Sequence, residues 1–529
     1  MTDDNSTDAR IPAWHERRPA RLLLALVPLV PVLLMAFLVR WNYQKDPLDV
    51  SLFWNDEVVN WHQAKSFSRA GFNSGYYTND ERPAPASFTP FYVHGPWYPM
   101  LAGTIARFTG WPISAGVVLN CFLISMALYA FVLTGGLGTA QLALLFGILM
   151  TAYPIVFYVT INMQETLQQA MAILLAVCFS YLFAHREQAP LSARVGLTCM
   201  LLTASITRMS WAIMLAPFFL LINRKNGRGL LTAVVQTGIA TVVVYWIVFE
   251  TTPPGNHSVF KAAAGFTATP TDALRPFLLQ AAANFRLYYS FAGQNALDVN
   301  QKVAVTTITL LLLLQLVLSL LRSVRLGRPL AREDYVTAFH VYNLIAVHCA
   351  SFAFYIIGTW GDYRVIYTHI LLSLLLLLLS GRRAIVICFI AISLLNLPSI
   401  HANFRSFTAG KYADSSKTPA RVYDQVAKVL TYDARATSRW CNTVLMDIGL
   451  YDGVVSAIPA GIGTSVIFDT ESTSAIHSRY LWITDSTRDR LARRIPQPRL
   501  EHLLAMPTGE LYLNLDADCR HAPSGNGRP

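Results

Sequence analysis

The chain has 529 residues, of which 53% are hydrophobic and only 14% are charged. A soluble protein carries about 25% charged residues, so this composition excludes an ordinary soluble enzyme and indicates an integral membrane protein. The formal net charge of +11 would raise nucleic acid as a partner in a soluble chain. Here the arginines sit in short loops between apolar runs, the positive-inside pattern, so no nucleic-acid partner is expected.

In chain order, the apolar runs are 22–39, 114–134, 138–158, 166–184, 195–222, 231–248, 303–321, 335–357, 365–380 and 384–397. The first is long enough to span and no small-residue cleavage site follows it, which makes it an anchor and not a signal peptide. Arg10, Arg17, Arg18 and Arg21 place segment 1–21 on the cytoplasmic side. Loop 40–113 then faces outward. Run 195–222 is flanked on both sides by basic segments that belong inside, and Thr207-Arg208-Met209-Ser210 interrupts it near its middle. It therefore reads as two short helices joined by an outward turn at Arg208. Loop 249–302 falls outside and carries an amphipathic stretch, 273–291, expected to lie at the membrane surface.

The remainder, 400–529, alternates β-like runs (442–445, 464–468, 511–515) with helical pieces (421–430, 488–494). The expected fold class is thus a polytopic α-helical membrane protein of about eleven transmembrane helices, with a small extracytoplasmic α+β C-terminal domain. The expected division is a cytoplasmic segment 1–21, a membrane domain 22–399 and an outer domain 400–529. That outer domain holds two cysteines, Cys441 and Cys519. An oxidising compartment permits their pairing, and the spacing alone does not decide it.

Residues able to do chemistry gather on the outward face. Asp56 and Glu57 stand at the start of a helix in the first outer loop, where Asn55 is suited to cap it and the dipole favours acids. His94-Gly95-Pro96-Trp97-Tyr98-Pro99 follows in the same loop. Glu165 stands at the mouth of the fourth span, Arg208 at the helix break, and Tyr363-Arg364 at the mouth of a late span. Apart from Arg208, no Asp, Glu, Lys or Arg lies inside a span as drawn. Each residue also has a structural reading: an acidic first turn is a routine helix start, an interfacial arginine snorkels, Trp97 and Tyr98 suit an aromatic belt, and His340, His348 and His369 suit interior hydrogen bonds.

The order of these features resembles the GT-C superfamily of membrane glycosyltransferases. The sub-pattern is similar to that of protein O-mannosyltransferases, aminoarabinose transferases of lipid A and RgtA/B/C/D-like lipopolysaccharide sugar transferases. The resemblance covers residues 20–400. This chain reads Tyr363-Arg364 where the family has Arg-Tyr, and His369 stands where proline is expected. The resemblance implies an enzyme of the inner (plasma) membrane that takes a sugar from a polyprenyl-phosphate donor, among membrane lipids. It passes the sugar to an outer glycan, lipid or protein. Phosphate leaves as an anion and needs no proton, so one carboxylate base suffices: Asp56, with Glu57 as substitute or positioner. Glu165 and His94 would position the acceptor or a divalent cation, the one cofactor left open. Arg364, Arg208 and Tyr363 would hold the donor phosphate. Two alternatives stay open: a transporter or lipid flippase, and a non-catalytic envelope-assembly protein whose C-terminal domain binds glycan.

Overall fold

The computed structural model describes residues 18–82, 95–185, 189–223, 226–252, 270–290, 296–327, 330–354, 363–413, 420–447, 454–506 and 509–519. Among them, seven helices are long and apolar enough to cross a membrane: Leu22–Tyr43, Ala115–Gly135, Glu165–His185, Gly227–Thr251, Val299–Leu326, Arg332–Ala353 and Arg383–Tyr412. A bent pair, Thr139–Thr151 with Tyr153–Val159, turns through 61° and makes an eighth if taken as one span. Pro154 in the first turn of the second piece accounts for the bend, because it has no N–H to continue the ladder. Three apolar helices are shorter: Leu191–Thr207, Met209–Ile222 and Arg364–Leu379. The break expected near Arg208 is present, with Arg208 itself extended at φ −153°, ψ 111°.

Burial ranks the helices. From Ile366 to Leu378 almost every apolar side chain is buried, which marks that helix as central. The Glu165–His185 helix packs along it. Only 11% of the Gly227–Thr251 span is buried, which leaves Val234, Ile239, Val242 and Trp246 exposed, as suits a helix against lipid. The amphipathic stretch expected at 273–291 is the Pro270–Tyr289 helix, with Leu278, Leu279 and Phe285 exposed.

Outside the bundle stands a six-stranded sheet of order β1-β3-β2-β4-β6-β5. Its strands are β1 (Tyr77–Asn79), β2 (Thr443–Asp447), β3 (Gly463–Ile467), β4 (Tyr480–Ile483), β5 (Leu500–Met506) and β6 (Gly509–Asn514). The first four pair in parallel, and β6 pairs antiparallel with β4 and β5. Strands β2, β3 and β4 are buried throughout, as expected of parallel strands covered on both faces. Val444, Met446 and Trp482 pack on one face with Val58 and Val59. Leu445, Leu481 and Ile483 pack on the other with Leu491 and Ile495.

Two features depart from the sequence expectation. Strand β1 comes from the first outer loop, so that loop and the C-terminal part share one sheet. Asp80 and Glu81 fasten it: both have positive φ, Asp80 accepts the N–H groups of Phe468 and Asp469, and Glu81 accepts those of His477 and Ser478 and the Ser478 hydroxyl. Those bonds hold a left-handed turn that glutamate otherwise avoids. Second, the last apolar helix does not stop near 397. Leu397–Tyr412 continues it and buries Ile400, Phe404, Phe407, Thr408 and Lys411. The boundary expected at 400 falls inside that helix, and Lys411, expected in the outer domain, ends a candidate span.

Candidate active site

The Asn55–Ala70 helix positions the acidic pair. Its two faces are both occupied: Val58 and Val59 join the sheet, while Trp61 and Ala64 join Tyr98, Ala102 and Ala106 of the Trp97–Thr109 helix. The two helices meet closely at Gly103, where a Cβ would come 2.7 Å from the Ala64 carbonyl oxygen. The capping expectation is corrected here. The N-cap is Trp54, extended at φ −80°, ψ 140°, and Asn55 is already helical. Glu57 at the third helical position reaches back to the Phe53 N–H at 3.2 Å, one residue beyond the reach of an ordinary capping box.

The two acids have different surroundings. Glu57 is 1% exposed and pairs with Lys411, also 1% exposed. Its Oε1 accepts the Asn162 N–H at 3.0 Å. It therefore ties together the first outer loop, the turn before Glu165 and the last apolar helix. Asp56 is 28% exposed, and its Oδ2 lies 3.2 Å from a terminal nitrogen of Arg364.

Behind this pair the charges alternate. Arg364 Nε lies 3.6 Å from Glu165 Oε1, and the same oxygen accepts from Arg208 at 2.8 Å. Arg208 also donates to the Arg364 carbonyl at 3.2 Å. Glu165 and Arg208 are buried, whereas Arg364 is 25% exposed. Four residues far apart in sequence thus form one line, Asp56–Arg364–Glu165–Arg208, open at the aspartate end and closed at the arginine end. Tyr98 donates to Asn162 Oδ1 at 2.6 Å, and Gln168 donates to Thr207 at 2.8 Å, which steadies the turns carrying Glu165 and Arg208.

Of the residues expected from sequence, Asp56, Glu165, Arg208 and Arg364 come together, and Glu57 stands beside them as a structural anchor. His94 lies outside the described residues, as does the Tyr363 side chain. His369 makes interior hydrogen bonds, to Asn343 at 2.8 Å and Ser210 at 3.2 Å, and stacks on Trp211. Lys411 is a position that sequence reasoning did not select. Among the described residues, Glu165 faces the guanidinium groups of Arg208 and Arg364, and Asp56 faces that of Arg364, so a cation placed between them would meet like charge. Among the described residues, no group of three His, Cys, Asp or Glu converges.

Cys441 and Cys519 form a disulfide in the C-terminal part.

No family model and no curated protein matches the sequence. Among solved structures, the chain is similar to ArnT from Cupriavidus metallidurans. For the apo state the identity is 13% over 94% of this chain and 98% of that one, with a TM-score of 0.39. For the same protein bound to undecaprenyl phosphate the identity is 12% over 95% and 99%, with a TM-score of 0.42. It is also similar to the archaeal oligosaccharyltransferase AglB from Archaeoglobus fulgidus in complex with an inhibitory peptide and a dolichol-phosphate. There the identity is 11% over 96% of this chain and 75% of that one, with a TM-score of 0.44.

Proposed function

We propose that this chain is a membrane glycosyltransferase that moves a sugar from a polyprenyl-phosphate donor to a cell-envelope glycan, lipid or protein on the outer side of the inner membrane. The observation that carries the reading is the Asp56–Arg364 pair: a carboxylate and a guanidinium 3.2 Å apart, both partly open, backed by the buried Glu165–Arg208 pair. Asp56 takes the proton of the acceptor hydroxyl as the acceptor oxygen bonds the anomeric carbon. The bond from that carbon to the phosphate oxygen breaks, and its electron pair leaves with the phosphate. Arg364 meets the charge that develops there, and its planar fork suits phosphate. Glu165 is a positioning residue that holds both arginines by one oxygen.

The topology follows the same reading. We count the bent pair and the three shorter apolar helices among the described residues as crossings as well, which would make eleven, the number read from loop charges. Segment 1–21 is then cytoplasmic, and loops 40–113 and 249–302 and the C-terminal part are outside. The Cys441–Cys519 disulfide supports an outer, oxidising location, and the shared sheet requires the first loop and the C-terminal part to lie on one side. The test is transfer from a labelled polyprenyl-phosphate sugar in washed membranes. Transfer that appears with the parent chain and disappears with Asp56→Asn supports the reading. No transfer from any such donor refutes it.

A further inference from the structure

We propose that Arg439, Tyr76, Trp440 and His477 form a platform that binds an acidic saccharide, one whose sugars carry carboxylate or phosphate groups. The platform lies on the sheet outside the bundle, and it stands whether or not the chain transfers sugar.

The sheet brings these residues together. Tyr76 precedes β1, Arg439 and Trp440 stand just before β2, and His477 stands just before β4. Those three strands run parallel within one sheet, so the segments that lead into them meet at one end of it. Gly75 permits the close approach, because a Cβ there would overlap the Asn442 carbonyl. The Tyr76 N–H then donates to Thr443 Oγ1 at 3.0 Å, and that hydroxyl donates to the Arg439 carbonyl at 2.8 Å. The Trp440 carbonyl accepts the Arg479 N–H at 3.0 Å. Three segments far apart in sequence are thereby fixed against one another.

The side chains make a row. The ring centroids of Tyr76 and Trp440 are 4.6 Å apart, and those of Trp440 and His477 are 5.4 Å apart. Arg439 Cζ lies 5.8 Å from the centre of the Tyr76 ring. Tyr76, Trp440 and Arg439 are half-buried, and His477 is exposed. Packing accounts for the rings but not for the arginine. Its Nη1 is buried and meets no hydrogen-bond acceptor among the described residues. Burial pulls its pKa down, and Tyr76, not a carboxylate, opposes that shift. A guanidinium keeps its charge in proteins. Arg439 is therefore a half-buried cation that faces a π cloud, and such a charge is costly until an anion completes it.

The neighbours indicate which anion. Aromatic faces are partially negative, and the flat face of a pyranose presents slightly positive C–H groups, so such rings stack on sugars. The guanidinium fork matches a carboxylate or phosphate carried by the same sugar chain. A free anion would use the arginine and leave the row of rings without a role. The platform is also remote from Asp56. Tyr77, next to Tyr76, bonds through its hydroxyl to Ser66 Oγ at 2.8 Å, and Ser66 stands about 15 Å beyond Asp56 along their helix. The platform would thus hold a part of a glycan distant from any hydroxyl that reaches Asp56.

The test is calorimetric binding to the full chain in nanodiscs of zwitterionic lipid. The probes are a galacturonate hexasaccharide, phosphopentamannose, a neutral galactose hexasaccharide and inorganic phosphate. At least one acidic oligosaccharide should bind, with the neutral one and free phosphate weaker by about ten-fold or more. Arg439→Met should weaken binding by about ten-fold or more, the loss of a hydrogen bond to a charged group. Its unfolding temperature should stay level or rise, because the substitution removes an uncompensated cation. Trp440→Ala and His477→Ala should each weaken binding by about three-fold or more; if Trp440→Ala fails to fold, His477→Ala at its exposed position decides. The proposal is overturned if neither acidic oligosaccharide binds, if free phosphate binds as tightly, or if Arg439→Met loses stability and keeps binding. Arg439-dependent capture of phosphatidylglycerol vesicles in place of saccharide would assign the cluster to a membrane surface and overturn it as well. Transfer from a polyprenyl-phosphate sugar is read in a separate assay, so failure here leaves that reading untouched.

Discussion

Lys411→Met tests the arrangement most directly, because it touches no group assigned to chemistry. Lys411 and Glu57 are each 1% exposed and paired. The substitution keeps an apolar stem of similar length and removes only the charge. Glu57 would keep two backbone donors, Asn162 at 3.0 Å and Phe53 at 3.2 Å, but no counter-charge. Breaking a buried pair from one side costs about 3–5 kcal/mol, and the two retained donors place the expectation near the lower end, about 3 kcal/mol. Adding Glu57→Gln removes the stranded charge, so the double variant should recover most of that loss, with a coupling of about 2 kcal/mol in the cycle. The assay is unfolding in detergent followed by tryptophan fluorescence, with transfer rate measured in parallel. Turnover should fall in Lys411→Met, because Asn162 lies three residues before Glu165 and Asp56 is adjacent to Glu57. Lys411→Met within about 0.5 kcal/mol of the parent, the range of an ordinary surface change, or strictly additive losses in the double variant, would refute the reasoning.

Asp56→Asn should express normally and lose at least about 100-fold in transfer, the low end for general base catalysis; equal loss in Glu57→Gln with Asp56→Asn active would reverse the assignment. Arg364→Lys keeps charge without the fork and should retain part of the turnover, whereas Arg364→Ala should lose nearly all of it, measured per folded protein. Thiol labelling of the denatured, unreduced chain should find five reactive cysteines and spare Cys441 and Cys519; reduction should lower stability by about 4 kcal/mol for a loop of this length. Burial, and then the nearby Lys65 charge, push the His62 imidazole down to about 3. Between that value and about 6.5 the unfolded chain binds a proton that the folded chain refuses. Stability should therefore fall as pH drops below about 6.5, by up to about 1.4 kcal/mol per unit. His62→Gln should flatten the unfolding temperature between pH 6.5 and 4 relative to the parent.

The apolar helices were legible because lipid demands long apolar runs; each run read from sequence has a helix at its place. The β runs at 442–445, 464–468 and 511–515 overlap β2, β3 and β6. Strand β1 was not legible, because Tyr77–Asn79 is three residues long and gains its character only from pairing with β3, which lies hundreds of positions away. Propensity over so short a window carries no information about a partner that supplies the ladder.

The charged line of the candidate site was legible only in part. Asp56, Glu165, Arg208 and Arg364 were singled out because each is a charge at the start or break of a helix on the expected outer face. Their pairing was not found, since it depends on how the helices pack. Glu57 was grouped with Asp56 because the two are adjacent, yet successive residues on a helix point about 100° apart. One side chain turns toward Arg364, and the other turns inward to Lys411. Lys411 did leave a trace. Ile400, Phe404, Phe407 and Lys411 recur at helical spacing beyond the point where hydropathy falls. A lysine on the buried stripe of such a helix requires a buried acid, and Glu57, 1% exposed and adjacent to Asp56, is the acid it pairs with. Read that way, the adjacent acidic pair divides into an anchor and a working group, which is why the two single substitutions are expected to fail differently: Glu57→Gln through stability, Asp56→Asn through turnover alone.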